Sequence, residues 1–210
     1  MKRVLYFHGF ASSPASAKII ALVPLLAPCG VELITPDLNA PSFEALDWNA
    51  MNEVADRSSQ VAGGVDAIVG SSLGALVALE IVKRGVKAPL VLIAPALGVA
   101  DRWQLKVPAG DPVIVFNHAR GEKAPIHRAF FEQMFHVRVD DEPPPVRTVA
   151  IMGTNDETVP FDLVSKTWTR WESRGLPPGS KFIIIDGGDH GLTAHVETIA
   201  REIVIAAGGD

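Results

Sequence analysis

One cysteine, Cys29, stands among the 210 residues of the chain. A lone thiol cannot close an intrachain disulfide, so a disulfide-stapled secreted scaffold is excluded and a reducing cytoplasm is the expected compartment. No leader is expected either, because "MKRVLYFHGF" offers only Val4 to Phe7 as apolar residues before His8, too few for a signal-peptide core. Each apolar run is broken by Gly, Pro or a charge well short of the roughly 20 residues of a membrane helix, so no membrane association is expected. A basic face is also missing. The 19 Lys and Arg are scattered among 24 Asp and Glu at a formal charge of −5, with no long like-charge block, which argues against nucleic acid as a partner. There is no internal repeat and no low-complexity segment. What remains is a 48% hydrophobic chain of one-domain length with enough apolar side chains for a sizeable core.

Short β-branched runs punctuate that chain: "RVLYF" (3–7), "VELIT" (31–35), "VDAIV" (65–69), "PLVLIA" (89–94), "RTVAIM" (147–152) and "KFIIID" (181–186). Apolar character without alternation indicates burial on both faces, as in a parallel sheet. Helical spacers supply the crossovers. Ser13-Pro14 is expected to open a helix through "ASAKIIALV" that Pro24 ends or kinks, and further helices are expected over 73–84, closed by Gly85, over 160–174 and over 193–207. The alternation predicts an α/β fold, with a mostly parallel sheet of about six strands and helices on both faces.

One interval, 97–145, breaks the rhythm, with several prolines and no clear strand. It is expected to be a partly helical, cap-like insertion between the fourth and fifth strands, returning through the stiff "DDEPPPV". Its aromatic cluster in "IHRAFFEQMF" also fits the buried stripe of an ordinary crossover helix. The histidines at 118, 127 and 136 lack the paired spacing of a zinc site and are expected to be surface groups.

Chemistry enters at "GSSLG", Gly70 to Gly74, a G-x-S-x-G pattern directly after a predicted strand and directly before a predicted helix. In that context it signals a nucleophile elbow: glycines leave room for a sharp, strained turn that exposes the central serine, here Ser72. The Leu73 N–H then sits at a helix N-terminus, aimed at a developing oxyanion. A serine hydroxyl needs a histidine base and a carboxylate to orient it, in the order Ser, acid, His. "GTNDETVP" places Asp156 beyond the fifth strand, and "GGDHGLT" places His190 beyond the sixth. Glu157, Asp189 and His195 are the neighbouring competitors. A second oxyanion donor is expected from Phe10 in "FHGFASSP", where Gly9 lets the backbone approach the substrate and His8 bonds within its own loop. If the first strand lies between the second and the third, these loops flank the topological switch point.

Those residues carry a resemblance. "LYFHGFASSPASAK" (5–18), "TPDL" (35–38), "GSSLGA" (70–75), "GTNDETVP" (153–160) and "GGDHGL" (187–192) resemble, in this order, the motifs of small bacterial YqiA-like serine esterases of the α/β-hydrolase superfamily. The resemblance spans nearly the whole chain. It implies a single α/β-hydrolase domain over 1–210 and hydrolysis of short acyl esters by Ser72, Asp156 and His190 through an acyl-enzyme, with no metal or organic cofactor. Two departures stand out: Ala75 follows Gly74 where a glycine pair is expected, and the insertion is longer than in the smallest members. Gly9 and Ser71 are expected to border the substrate, and Trp103, Phe130 and Phe131 to line a small acyl pocket. The expected partner is a small-molecule ester, and the chain is expected to be a monomer or homodimer. Fold and triad alone leave acyl transfer, thioester hydrolysis, C–C hydrolysis and a non-catalytic ligand-binding role as alternatives.

Overall fold

Six strands assemble in the order β2-β1-β3-β4-β7-β8, with every neighbouring pair parallel, in the computed structural model, which describes residues 1–60 and 63–209. They are β1 (Lys2–Phe7), β2 (Val31–Ile34), β3 (Ala67–Ser71), β4 (Leu90–Ile93), β7 (Thr148–Gly153) and β8 (Lys181–Ile185). All residues of β3, β4 and β7 are buried, whereas the edge strands β2 and β8 are partly open. Burial on both faces is why the central strands read as unbroken apolar runs. The helices are α1 (Ala17–Leu26), α2 (Trp48–Ser59), α3 (Leu73–Lys83), α4 (Val99–Lys106), α5 (Arg128–Met134), α6 (Phe161–Ser173) and α7 (Val196–Ala206). Helix α3 packs on β1, β3 and β4 and on α2, while α7 packs on β3 and β4 and on α1. The sheet is thus flanked by helices in a single α/β domain. Nine of the eleven residues of α3 are buried, which explains its almost uninterrupted apolar sequence. Among the described residues, no helix is long and apolar enough to cross a membrane.

Two expectations need correction. Helix α1 starts at Ala17 after Ser16: the Ser13 carbonyl accepts from the Ser16 N–H and the Ser13 hydroxyl from the Ala15 N–H, so Ser13-Pro14 closes a turn instead. Pro24 lies inside the helix; the Ile20 carbonyl that loses its partner belongs to an exposed residue, where water can serve it. The insertion does contain strands. Residues Val113–Asn117 (β5) and Glu122–Ile126 (β6) pair antiparallel around a tight turn, where the Asn117 side chain accepts from the Ala119 and Arg120 N–H groups. An isolated two-stranded ribbon tolerates Pro125, and its outer side chains, Ile114 and Phe116, are exposed.

Candidate active site

Strand β1 lies between β2 and β3, so the chain leaves it in opposite directions and a crevice opens at its carboxyl end. The loop after β1 and the β3–α3 turn meet there. Ser72 holds φ +52° and ψ −117°, a backbone conformation that costs a side chain on the order of 1–3 kcal/mol. The flanking glycines make it attainable: a Cβ at Gly74 would lie 2.2 Å from the Phe7 carbonyl oxygen, and one at Gly70 would lie 2.5 Å from Ala75 Cα. Any side chain at either position would push strand and helix apart.

The loops after β7 and β8 are pressed together in the same way. A Cβ at Gly153 would stand 2.1 Å from the Gly188 carbonyl oxygen, which instead accepts from the Asn155 N–H at 3.0 Å. That approach brings Asp156 and His190 into contact. His190 Nδ1 lies 2.7 Å from Asp156 Oδ2, and His190 Nε2 lies 3.1 Å from Ser72 Oγ. The Asp156 carboxylate is fully buried, and its other oxygen accepts from the Thr158 and Val159 N–H groups at 2.9 and 2.7 Å. An acceptor-only carboxylate at Nδ1 makes Nδ1–H the donor and leaves Nε2 free to accept from the serine. This chain of hydrogen bonds can deprotonate a hydroxyl as it attacks an electrophilic carbon.

The competitors lie elsewhere. Asp189 is exposed and accepts from the Leu192 N–H at 2.7 Å, Glu157 is exposed, and His195 stands at the head of α7. His8 is buried as a loop fastener, its Nδ1 donating to the Gly9 carbonyl while its Nε2 accepts from the Leu38 N–H at 3.0 Å. Leu73 is the first residue of α3, so its N–H is one of the first-turn donors that no helical carbonyl accepts. A Cβ at Gly9 would be 3.2 Å from Ser72 Cβ and 3.8 Å from Ser72 Oγ, so the loop after β1 runs close past the serine.

A cavity of about 750 Å³ opens over Ser72 and His190. Gly9, Phe10, Ser71 and Leu73 line it, with Trp103 and Phe131 from the 97–145 segment. Phe130, expected to touch substrate, does not: it is wholly buried behind the cavity, where it stacks on Phe10 at 6.0 Å and edges Trp103 at 6.1 Å. Both expectations for "IHRAFFEQMF" therefore hold in part, since α5 gives the core Phe130 and the cavity Phe131. His118 is exposed, as expected, but it is on the cavity wall, and its N–H donates to the Ala11 carbonyl.

Sequence reasoning passed over Lys18 and Tyr6 at the cavity floor. Lys18 Nζ donates to Ser71 Oγ at 3.0 Å, and the buried Tyr6 hydroxyl lies close to Ser71 without a well-formed hydrogen bond. A signal for Lys18 was available: with Leu22 and Leu26 it occupies one buried stripe of α1 at i, i+4 and i+8, where a third apolar residue is expected. Burial lowers the ammonium to about 8 from 10.5, against the pull of Asp189 and Asp156. Between those two values the unfolded chain holds a proton that the native one has released, so native stability rises with pH across that window and the cost of the buried charge is complete below it. Lys18→Met is accordingly expected to be more stable than the parent at pH 7, by on the order of 1–3 kcal/mol. Denaturant melts should show that difference shrinking as the pH rises from about 8 towards 10.5. A difference independent of pH would mean that the native state carries no charge penalty at Lys18.

The fold recurs in solved structures of low sequence identity. Est1E from Butyrivibrio proteoclasticus matches with 17% identity and a TM-score of 0.71, covering 97% of this chain and 88% of that one. The monoacylglycerol lipase of Paleococcus ferrophilus matches with 14% identity and a TM-score of 0.75, covering 97% and 94%. Mouse alpha/beta hydrolase domain-containing protein 10 matches with 20% identity and a TM-score of 0.72, covering 96% and 87%. These likenesses show an α/β-hydrolase fold. No curated protein matches the chain significantly. Residues 3–206 match the model of an uncharacterised protein family, UPF0227, and the chain belongs to that family.

Proposed function

We propose that the protein is a serine esterase that hydrolyses short-chain esters of small molecules through an acyl-enzyme. The observation that carries this reading is the hydrogen-bonded series Ser72–His190–Asp156 facing a cavity at the carboxyl ends of the strands. Ser72 Oγ attacks the ester carbonyl carbon while its proton passes to His190 Nε2, and the buried Asp156 carboxylate stabilises the imidazolium. The carbonyl oxygen gains the negative charge and accepts from the Leu73 and Phe10 N–H groups. Collapse of the tetrahedral intermediate breaks the bond to the alcohol oxygen, which takes the proton from His190. Water, deprotonated by the same imidazole, then attacks the acyl-enzyme and releases the acid and Ser72. The fold shared with Est1E and with a monoacylglycerol lipase is consistent with this chemistry at the level of architecture.

Chain-length preference follows from the cavity wall. Leu73, Val99, Trp103 and Phe131 offer apolar surface, and each methylene buried against it contributes about 0.8 kcal/mol, so kcat/KM should climb over the first carbons. Lys18, Arg102 and Lys106 interrupt that surface, and a longer chain would press methylenes against cations. A p-nitrophenyl ester series from acetate to palmitate, run below and above micelle formation, is expected to peak at about two to six acyl carbons. A peak at about twelve or more, or a jump on micelle formation, would instead indicate a lipase-type interfacial site.

A further inference from the structure

The cavity is cationic in an acidic protein. The chain carries −5 overall, yet the charged side chains lining the cavity are Lys18, Arg102 and Lys106, with no Asp or Glu among the described lining residues. Lys106 is exposed at the rim, and Arg102 is half-buried and donates to the Thr158 carbonyl. Lys18 differs from both. It is more than nine-tenths buried, its hydrogen-bonded partner is the neutral Ser71 hydroxyl, and it forms no ion pair among the described residues.

An ammonium taken out of water costs several kcal/mol unless an anion faces it. The two nearest carboxylates are otherwise engaged: Asp156 is held by His190 and two backbone amides, and Asp189 is exposed and caps the Leu192 N–H. Against the same Ser71 side chain that accepts from Lys18 stands the buried Tyr6 hydroxyl. An ammonium without a counter-anion and a hydroxyl without a well-formed hydrogen bond therefore meet at Ser71, on the floor of the cavity and next to Ser72. What they lack is a small anion.

We infer that Lys18, with the Tyr6 hydroxyl, forms a carboxylate-binding subsite next to Ser72, and that the preferred substrates are acidic esters carrying a free carboxylate a few carbons from the scissile carbonyl. Half-esters of short dicarboxylic acids fit this description. The inference rests on the esterase proposed above and narrows its substrate class. It is a specificity role, acting on substrate charge, and the attack and proton transfers are unchanged.

The test compares kcat/KM for mono-p-nitrophenyl succinate and glutarate with that for the neutral p-nitrophenyl butyrate and valerate, which share the leaving group, after subtraction of spontaneous hydrolysis. A second pair, 4-carboxyphenyl butyrate against phenyl butyrate, puts the carboxylate on the alcohol arm. The expected result is a charged-to-neutral ratio at least about tenfold higher in the parent than in Lys18→Met for one of the two pairs, with part of it kept by Lys18→Arg and a smaller loss in Tyr6→Phe. Equal ratios in parent and Lys18→Met for both pairs would overturn the inference. If no ester is hydrolysed, the esterase proposal fails, and the subsite is judged by calorimetry on the Ser72→Ala protein with monoethyl glutarate. Binding that disappears when Lys18→Met is added upholds the subsite, and binding that is absent or unaltered rejects it.

Discussion

Replacing Ser72 with alanine is expected to abolish ester hydrolysis, lowering kcat by about 10⁴-fold or more, while leaving the fold intact. The size of the loss follows from removing the atom that bonds to the acyl carbon; what remains is the contribution of the oxyanion donors and binding alone. The fold should survive because alanine at φ +52° bears the same backbone strain as serine, and among the described residues the hydroxyl is hydrogen-bonded only to His190, on the cavity wall. Circular dichroism and a denaturant melt would establish this beside the kinetics. Ser71 is the informative control. Its hydroxyl accepts from Lys18 and makes no hydrogen bond with His190 among the described residues, so Ser71→Ala should lower the rate on neutral esters far less than Ser72→Ala. The reverse order would place the nucleophile at the wrong serine.

Asp156→Asn should produce the second large loss, about 10³–10⁴-fold in kcat, with little change in KM for a neutral ester. The structure dictates which way the asparagine would face. Asp156 Oδ1 accepts two backbone N–H groups, so the amide oxygen must take that place and the NH₂ must turn towards His190. A donor at that position forces Nδ1 to accept and puts the ring proton on Nε2, facing Ser72, where no base is then available. The measurement is kcat and KM for p-nitrophenyl butyrate in Asp156→Asn and, for contrast, in Asp189→Asn. Comparable losses in the two would mean that the orienting carboxylate is shared or misassigned.

Much of the fold was legible because its information is local. The central strands are buried on both faces, and four or five consecutive apolar residues mark them without reference to any partner. The elbow was legible for the same reason, since a strand, a glycine-bounded serine and a helix are consecutive in the chain. What escaped depends on tertiary contacts. Helix α2 is polar, and its start is fixed from afar, with Asp47 accepting from the Ala50 N–H and itself held by Gln133 of α5, which also takes the Trp48 N–H. The β5–β6 ribbon hid behind Pro112, Pro125 and its exposed apolar side chains, a pattern that reads as loop. At the site, Asp156 and His190 could be named from their places after two strands, but the Gly153–Gly188 contact that joins them is visible only in three dimensions. Phe130 and Phe131, adjacent and alike, were assigned one role; both are buried against Phe10 and Trp103, and Phe131 alone of the two reaches the cavity wall. Lys18 was passed over because a lysine near the start of a helix reads as a solvated group until its stripe is traced to Leu22 and Leu26.

The most direct measurement is covalent: incubation of the protein with a fluorophosphonate probe, digestion, and mass spectrometry of the peptides. An activated serine forms a stable phosphonyl ester by losing fluoride, and a merely exposed one does not. The expected result is one adduct per chain, on Ser72, absent from Ser72→Ala, strongly slowed in His190→Gln and retained in His195→Gln. An unlabelled parent protein, or an adduct on any other residue, would contradict the assignment of Ser72, His190 and Asp156 as the catalytic groups.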